Sequence, residues 1–127
     1  MDDPQSCIFC EIISDKSPAK FHYRSEDFVV FENNLNWLPT QLLIVPSNHL
    51  TQYELWNSGE LLSKMGKCAN DLGKKLCPNG YRILSNFGSD GMQSQPHAHL
   101  HLLGGRALGM YIAVSYTHLT LPTILLV

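Results

Sequence analysis

Pro96-His97-Ala98-His99-Leu100-His101-Leu102-Leu103 carries a histidine at every second position, with small or apolar residues between. Successive side chains of a β-strand alternate between its faces, so His97, His99 and His101 share one face and Ala98, Leu100 and Leu102 the other. The run predicts a strand whose apolar side joins a core. Its other side lines up three imidazoles, which are ionisable, nucleophilic and metal-binding near neutral pH. An exposed strand whose histidines merely alternate is the bland alternative, yet polar groups in register beside a core usually have a role.

Immediately upstream, Asn86-Phe87-Gly88-Ser89-Asp90-Gly91-Met92-Gln93-Ser94-Gln95 is rich in turn formers and predicts a loop. Delivered into a histidine strand, such a loop can aim N–H, hydroxyl and carboxamide donors at an anion held over the imidazoles. Further out, Leu61, Leu62, Met65, Cys68, Ala69, Leu72 and Leu76 recur at three- and four-residue steps. They predict an amphipathic helix over 58–76, N-capped by Ser58 and stopped at Pro78-Asn79-Gly80. Strands are predicted at 21–24, 28–31, 41–45 and 81–85, the first two as a hairpin broken at Ser25-Glu26-Asp27. Ile8, Phe9, Ile12 and Ile13 predict a short helix over 7–14 with its apolar side inward. The fold class is α+β, an antiparallel sheet of about five strands with one long helix on one face and a short N-terminal helix.

The 127 residues suit one domain. With 9 Lys and Arg against 11 Asp and Glu and no basic stripe, the chain offers no nucleic-acid surface, and a small ligand is expected. Residues 1–6 read as a flexible, acidic and polar lead-in without the basic and apolar parts of a secretory signal, which points to the cytoplasm. Residues 114–127 are uncharged and apolar but too short to span a membrane, which takes about 20 residues. Among the four cysteines, Cys68 and Cys77 are expected in the long helix, while Cys7 and Cys10 form a Cys-x-x-Cys pair. That pair can be core, a redox couple or two ligands of one tetrahedral metal; no β-α-β context for a redox couple follows residue 10. His49, just beyond the third strand, would complete a Cys₂His₂ set with Cys7, Cys10 and His97. His22 and His118 read as structural.

These residues carry a resemblance. The run from His97 to Leu103 is similar to the His-x-His-x-His-x-x signature of the histidine triad (HIT) nucleotide hydrolases and transferases. Cys7 to Ile13, Phe31-Glu32-Asn33, Leu43 to His49, Gly88-Ser89-Asp90-Gly91-x-Gln93-Ser94 and Gly104-Gly105-Arg106 follow in family order, and together resemble the Hint-like purine nucleoside phosphoramidases over 7–108. The resemblance implies that His99 is the nucleophile on a nucleoside 5′-phosphoramidate or acyl-adenylate, passing through a nucleotidyl-histidine. It implies that His101, Ser94, Gln93 and Asn86 contact phosphate or assist the leaving group. Ile8, Phe9, Ile12 and Phe31 would form the slot for a purine, and Asn33 would face the ribose. Zinc on Cys7, Cys10, His49 and His97 would be structural, since two Cys and two His leave no open position. No organic cofactor is implied.

Two departures stand out. The family usually has aspartate where this chain has Asn33, and an amide accepts hydrogen bonds more weakly and carries no charge. After Arg106 the usual Trp-Pro-Pro-Gly-like ending is absent; residues 109–127 form an atypical tail, read as read-through or chimeric sequence, with an extra strand as the alternative. Rival functions are a dinucleoside polyphosphate hydrolase, a nucleotidylyltransferase, or a zinc-stabilised binding or scaffold module. A homodimer is expected, since one helix covers only one face of the sheet and the family pairs its long helices and a strand edge.

Overall fold

Ser25 closes the first hairpin: its hydroxyl and its N–H both bond to the carbonyl of Phe28. The computed structural model describes residues 6–110, so the expectations for residues 1–5 and for the tail beyond residue 110 lie outside the described residues. Within them the order is α1 (Ile8–Ile13), β1 (Phe21–Arg24), β2 (Phe28–Glu32), β3 (Thr40–Pro46), α2 (Gln52–Trp56), α3 (Gly59–Leu76), β4 (Tyr81–Leu84) and β5 (Leu100–Gly104). The five strands form one antiparallel sheet in the order β1-β2-β3-β5-β4. The strand that ends the histidine run is thus interior, held by β3 on one side and β4 on the other.

The period-two pattern divides the sheet into two faces. Phe28, Val30, Leu42, Ile44, Ala98, Leu100 and Leu102 point to one side, where Leu55, Met65 and Ala69 of the helices meet them. Val29, Phe31, Leu43 and Val45 point to the other, against Cys7, Phe9 and Ile12. α3 approaches very closely at its end: a Cβ on Gly73 would sit 2.6 Å from the Tyr81 ring, and one on Gly104 2.6 Å from Cys77 Sγ.

Several expectations change in detail. The stripe of α3 is spent on the chain's own sheet, with Met65 and Ala69 fully buried and Leu61, Leu62, Cys68 and Leu72 packed against them. Cys77 is the C-cap of α3 rather than part of it, and Ser58 stands at the N-cap without a side-chain capping bond. Of the predicted inward side of α1, only Phe9 and Ile12 are buried. Ladder pairing in β5 begins at Leu100, so His97 and His99 precede it. α2 was not expected; Thr51 opens it with a capping box, accepting from Glu54 N while the Glu54 carboxylate accepts from Thr51 N.

Candidate active site

Cys7 caps α1, and its sulfur accepts from the N–H of Cys10 one turn later. That turn brings both thiols to one imidazole: His97 Nδ1 lies 3.4 Å from Cys7 Sγ and 3.5 Å from Cys10 Sγ, while His49 Nδ1 lies 3.4 Å from Cys10 Sγ. A tetrahedral ion with ordinary zinc–sulfur and zinc–nitrogen bonds separates such atoms by about 3.5 Å. All four donor atoms lie within 4.8 Å of one another. The His97 ring is buried and its Nε2–H donates to the carbonyl of Pro46 at 2.8 Å. A carbonyl only accepts, so in the neutral ring Nδ1 carries the lone pair facing the thiols, as a metal ligand braced by an outer hydrogen bond does. These four residues could hold a metal ion.

Two residues on, the tautomer reverses. His99 Nδ1 lies 2.8 Å from the carbonyl of His97, which makes Nδ1 the donor and leaves the Nε2 lone pair for the cavity that His99 lines. Burial lowers the His99 pKa, partly opposed by that hydrogen bond. Burial together with neighbouring His99 pushes His101 down to about 4, so both rings are neutral at neutral pH. The His99 and His101 ring centres are 5.0 Å apart, and Phe9 meets His99 edge-on at 5.2 Å.

The cavity, about 450 Å³, gathers Ile8, Phe9, Ile12, Phe31, Asn33, Asn86, Ser94, His99 and His101. Its size suits a small organic ligand. Ile8, exposed on α1, is there a wall of the cavity. Asn33 Oδ1 is already used, accepting from the N–H of Leu35 at 3.0 Å. Gln93 is the one expected residue that the fold does not bring in. Its amide turns back into its own loop, accepting from Gly88 N and donating to the carbonyl of Gln95. The sequence reading missed further walls, among them Leu35, Trp37 and Leu38, whose loop is fastened by Arg106 donating to the Trp37 carbonyl.

It also missed Gln52. This side chain, 3% exposed, accepts from the His99 N–H at 3.3 Å and donates to the His99 carbonyl at 3.1 Å and the Asn86 carbonyl at 3.2 Å. The Thr51-x-x-Glu54 capping signature was the available sign of a helix start there.

A family model, the HIT domain, matches residues 14–108. The chain belongs to the HIT family. It is 37% identical over 108 residues to an uncharacterised HIT-like protein of Chlamydia muridarum, covering 80% of this chain and 83% of that one. It is 30% identical over 115 residues to the purine nucleoside phosphoramidase of Escherichia coli, covering 86% and 95%. Among solved structures, a HIT family hydrolase from Clostridium thermocellum superposes with a TM-score of 0.78 at 28% identity, over 86% of this chain and 98% of that one. A zinc-bound histidine triad family protein from Mycobacterium smegmatis shares the fold, with a TM-score of 0.72 at 24% identity over 84% and 79%. In this HIT protein Cys7 and Cys10 precede the matched span, while His49 and all three histidines of the run lie inside it.

Proposed function

We propose that this protein hydrolyses the P–N bond of purine nucleoside 5′-phosphoramidates, or the P–O bond of the related acyl-adenylates, through a nucleotidyl-histidine at His99. The observation that carries the reading is the pair of opposed tautomers, which gives His97 a lone pair toward the thiols and His99 one toward the cavity. The hydrolase relatives and the phosphoramidase of Escherichia coli support it.

In this reading the purine lies among Ile8, Phe9, Ile12 and Phe31, with the ribose near Asn33. His99 Nε2 attacks phosphorus, the P–N bond breaks, and the leaving amine takes a proton from solvent. Water then attacks the nucleotidyl-histidine, losing a proton to solvent, and releases the nucleoside monophosphate and free His99. Splitting one displacement into two avoids direct attack by water on the phosphoramidate. His101 and Ser94 supply neutral donors to the non-bridging oxygens, where charge grows in the transition state. Asn86 steadies the loop through its bond to the Gly91 carbonyl. Cys7, Cys10, His49 and His97 would hold zinc, which when bound ties α1 to the histidine run. Two copies would pair along the free edge of β4, where Ile83 is exposed; light scattering at micromolar concentration tests that pairing.

The deciding experiment is rapid quench of the protein with adenosine 5′-phosphoramidate, followed by intact-mass measurement. One adenylyl group per chain is expected, absent in His99→Ala, whose turnover falls more than about a thousandfold, or ~4 kcal/mol of barrier. Turnover by His99→Ala within about tenfold of the parent protein overturns the assignment.

A further inference from the structure

The ladder of β5 stops one residue short of the nucleophile. The last β3 pairing is Ile44 with Leu100, and the last β4 pairing is Leu84 with His101. His99 itself is buried, 1% exposed, beyond the end of both ladders. Its backbone N–H and carbonyl need partners there, because an unpaired buried peptide group costs about as much as a lost hydrogen bond. The Gln52 side chain meets both, its Oε1 accepting from the N–H and its Nε2 donating to the carbonyl. A primary amide thereby takes the place of one residue of a neighbouring strand.

The support behind Gln52 is stiff. α2 is fixed by its capping box and by Leu55, which is fully buried in the core. Two residues before it, the Leu50 carbonyl accepts from the Ala98 N–H at 2.8 Å. The His99 carbonyl also accepts from Ser85 Oγ at 3.1 Å, and Ser85 accepts in turn from Trp56 Nε1, the last residue of α2. The third Gln52 bond, to the Asn86 carbonyl, joins the start of the loop carrying Ser94 to the same anchor.

We infer that Gln52 is a positioning residue for the reaction, its amide fixing the His99 backbone where the sheet no longer does. The inference rests on His99 being the nucleophile. It acts through geometry alone: His99 must hold its Nδ1–H on the His97 carbonyl while Nε2 stays aimed into the cavity, and a misplacement of about 1 Å can cost on the order of a hundredfold in rate.

The test replaces Gln52 by methionine, which keeps the length and removes every polar bond. Steady-state kinetics on adenosine 5′-phosphoramidate are compared with AMP affinity, melting temperature and histidine ring ¹⁵N spectra at fixed pH. For Gln52→Met, kcat is expected to fall about 10- to 100-fold with AMP affinity within about threefold, as a second His99 tautomer appears in the spectra. Gln52→Glu, which keeps an acceptor for the His99 N–H and loses the donor, is read in the same way should the methionine variant not fold. A lower melting temperature with unchanged kcat and a single His99 tautomer, in either variant, overturns the inference. His99→Ala, run alongside, separates the two claims: if it stays active the nucleophile is wrong, and if it is inactive while Gln52→Met keeps an unchanged kcat, only Gln52 is wrong.

Discussion

The two faces of the sheet are built from the same alternating strands and serve opposite ends. On the α3 face Phe28, Val30, Leu42, Ile44, Leu100 and Leu102 form an apolar layer, and Met65 and Ala69 seal it. On the α1 face the same strands present Val29, Phe31, Leu43 and Val45, but the capping layer brings thiols, and the adjoining chain brings His97 and His99. One face is closed mainly by apolar packing. The other buries polar atoms, and His97 and His99 are each held by a hydrogen bond through a defined ring nitrogen. Apolar packing thus dominates the first face, and the proposed chemistry lies on the second.

That contrast can be broken in order of size. Cys7→Ser/Cys10→Ser should abolish the one zinc per chain expected on metal analysis of the parent protein and lower the melting temperature by several degrees, because a metal held at a site formed only on folding adds its binding energy to folding. A protein purified without zinc, or a double variant of unchanged stability, would make the α1 face as passive as the other. Met65→Ala empties a fully buried position and should cost about 2–5 kcal/mol in denaturant unfolding. Its folded fraction should retain kcat, and a comparable loss of kcat would mean that the faces are not separable. Asn33→Asp is the smallest change: a charged acceptor beside the ribose position should tighten AMP binding by roughly three- to tenfold, ~1 kcal/mol. Calorimetry showing no gain would place the ribose elsewhere.

Most of the α3 face was legible because burial imposes a period. Leu61 to Leu76 announce a helix and Ala98-x-Leu100-x-Leu102 a strand, whatever surrounds them. The alternation of His97, His99 and His101 was equally plain, although the sheet ladder reaches only the last of them. Cys7 and Cys10 could be paired by spacing, but their meeting with His49 and His97 depends on how three separate segments converge. Gln52 was invisible for a physical reason: a five-residue helix burying only Gln52 and Leu55 leaves no periodicity, and its bonds go to a backbone that any sequence would offer. The direction of the Gln93 amide, which turns into its own loop, was equally hidden, since a loop amide chooses between ligand and loop on geometry that composition does not encode.

The insertion of β5 between β3 and β4 has a consequence for how the molecule is made. β4 joins the sheet only through β5, and β3 pairs with β5 across the whole span of α2 and α3. Closing so long a stretch of chain is costly in entropy and slow compared with forming the β1-β2-β3 meander, whose strands are near neighbours. A nascent chain that has emerged only as far as the glycine loop therefore holds a three-stranded sheet with the apolar edge of β3, Leu42 and Ile44 included, open to wrong partners. His97, His99 and His101 arrive on the segment that shuts that edge. The proposed nucleophile is thus placed in the same event that closes that edge.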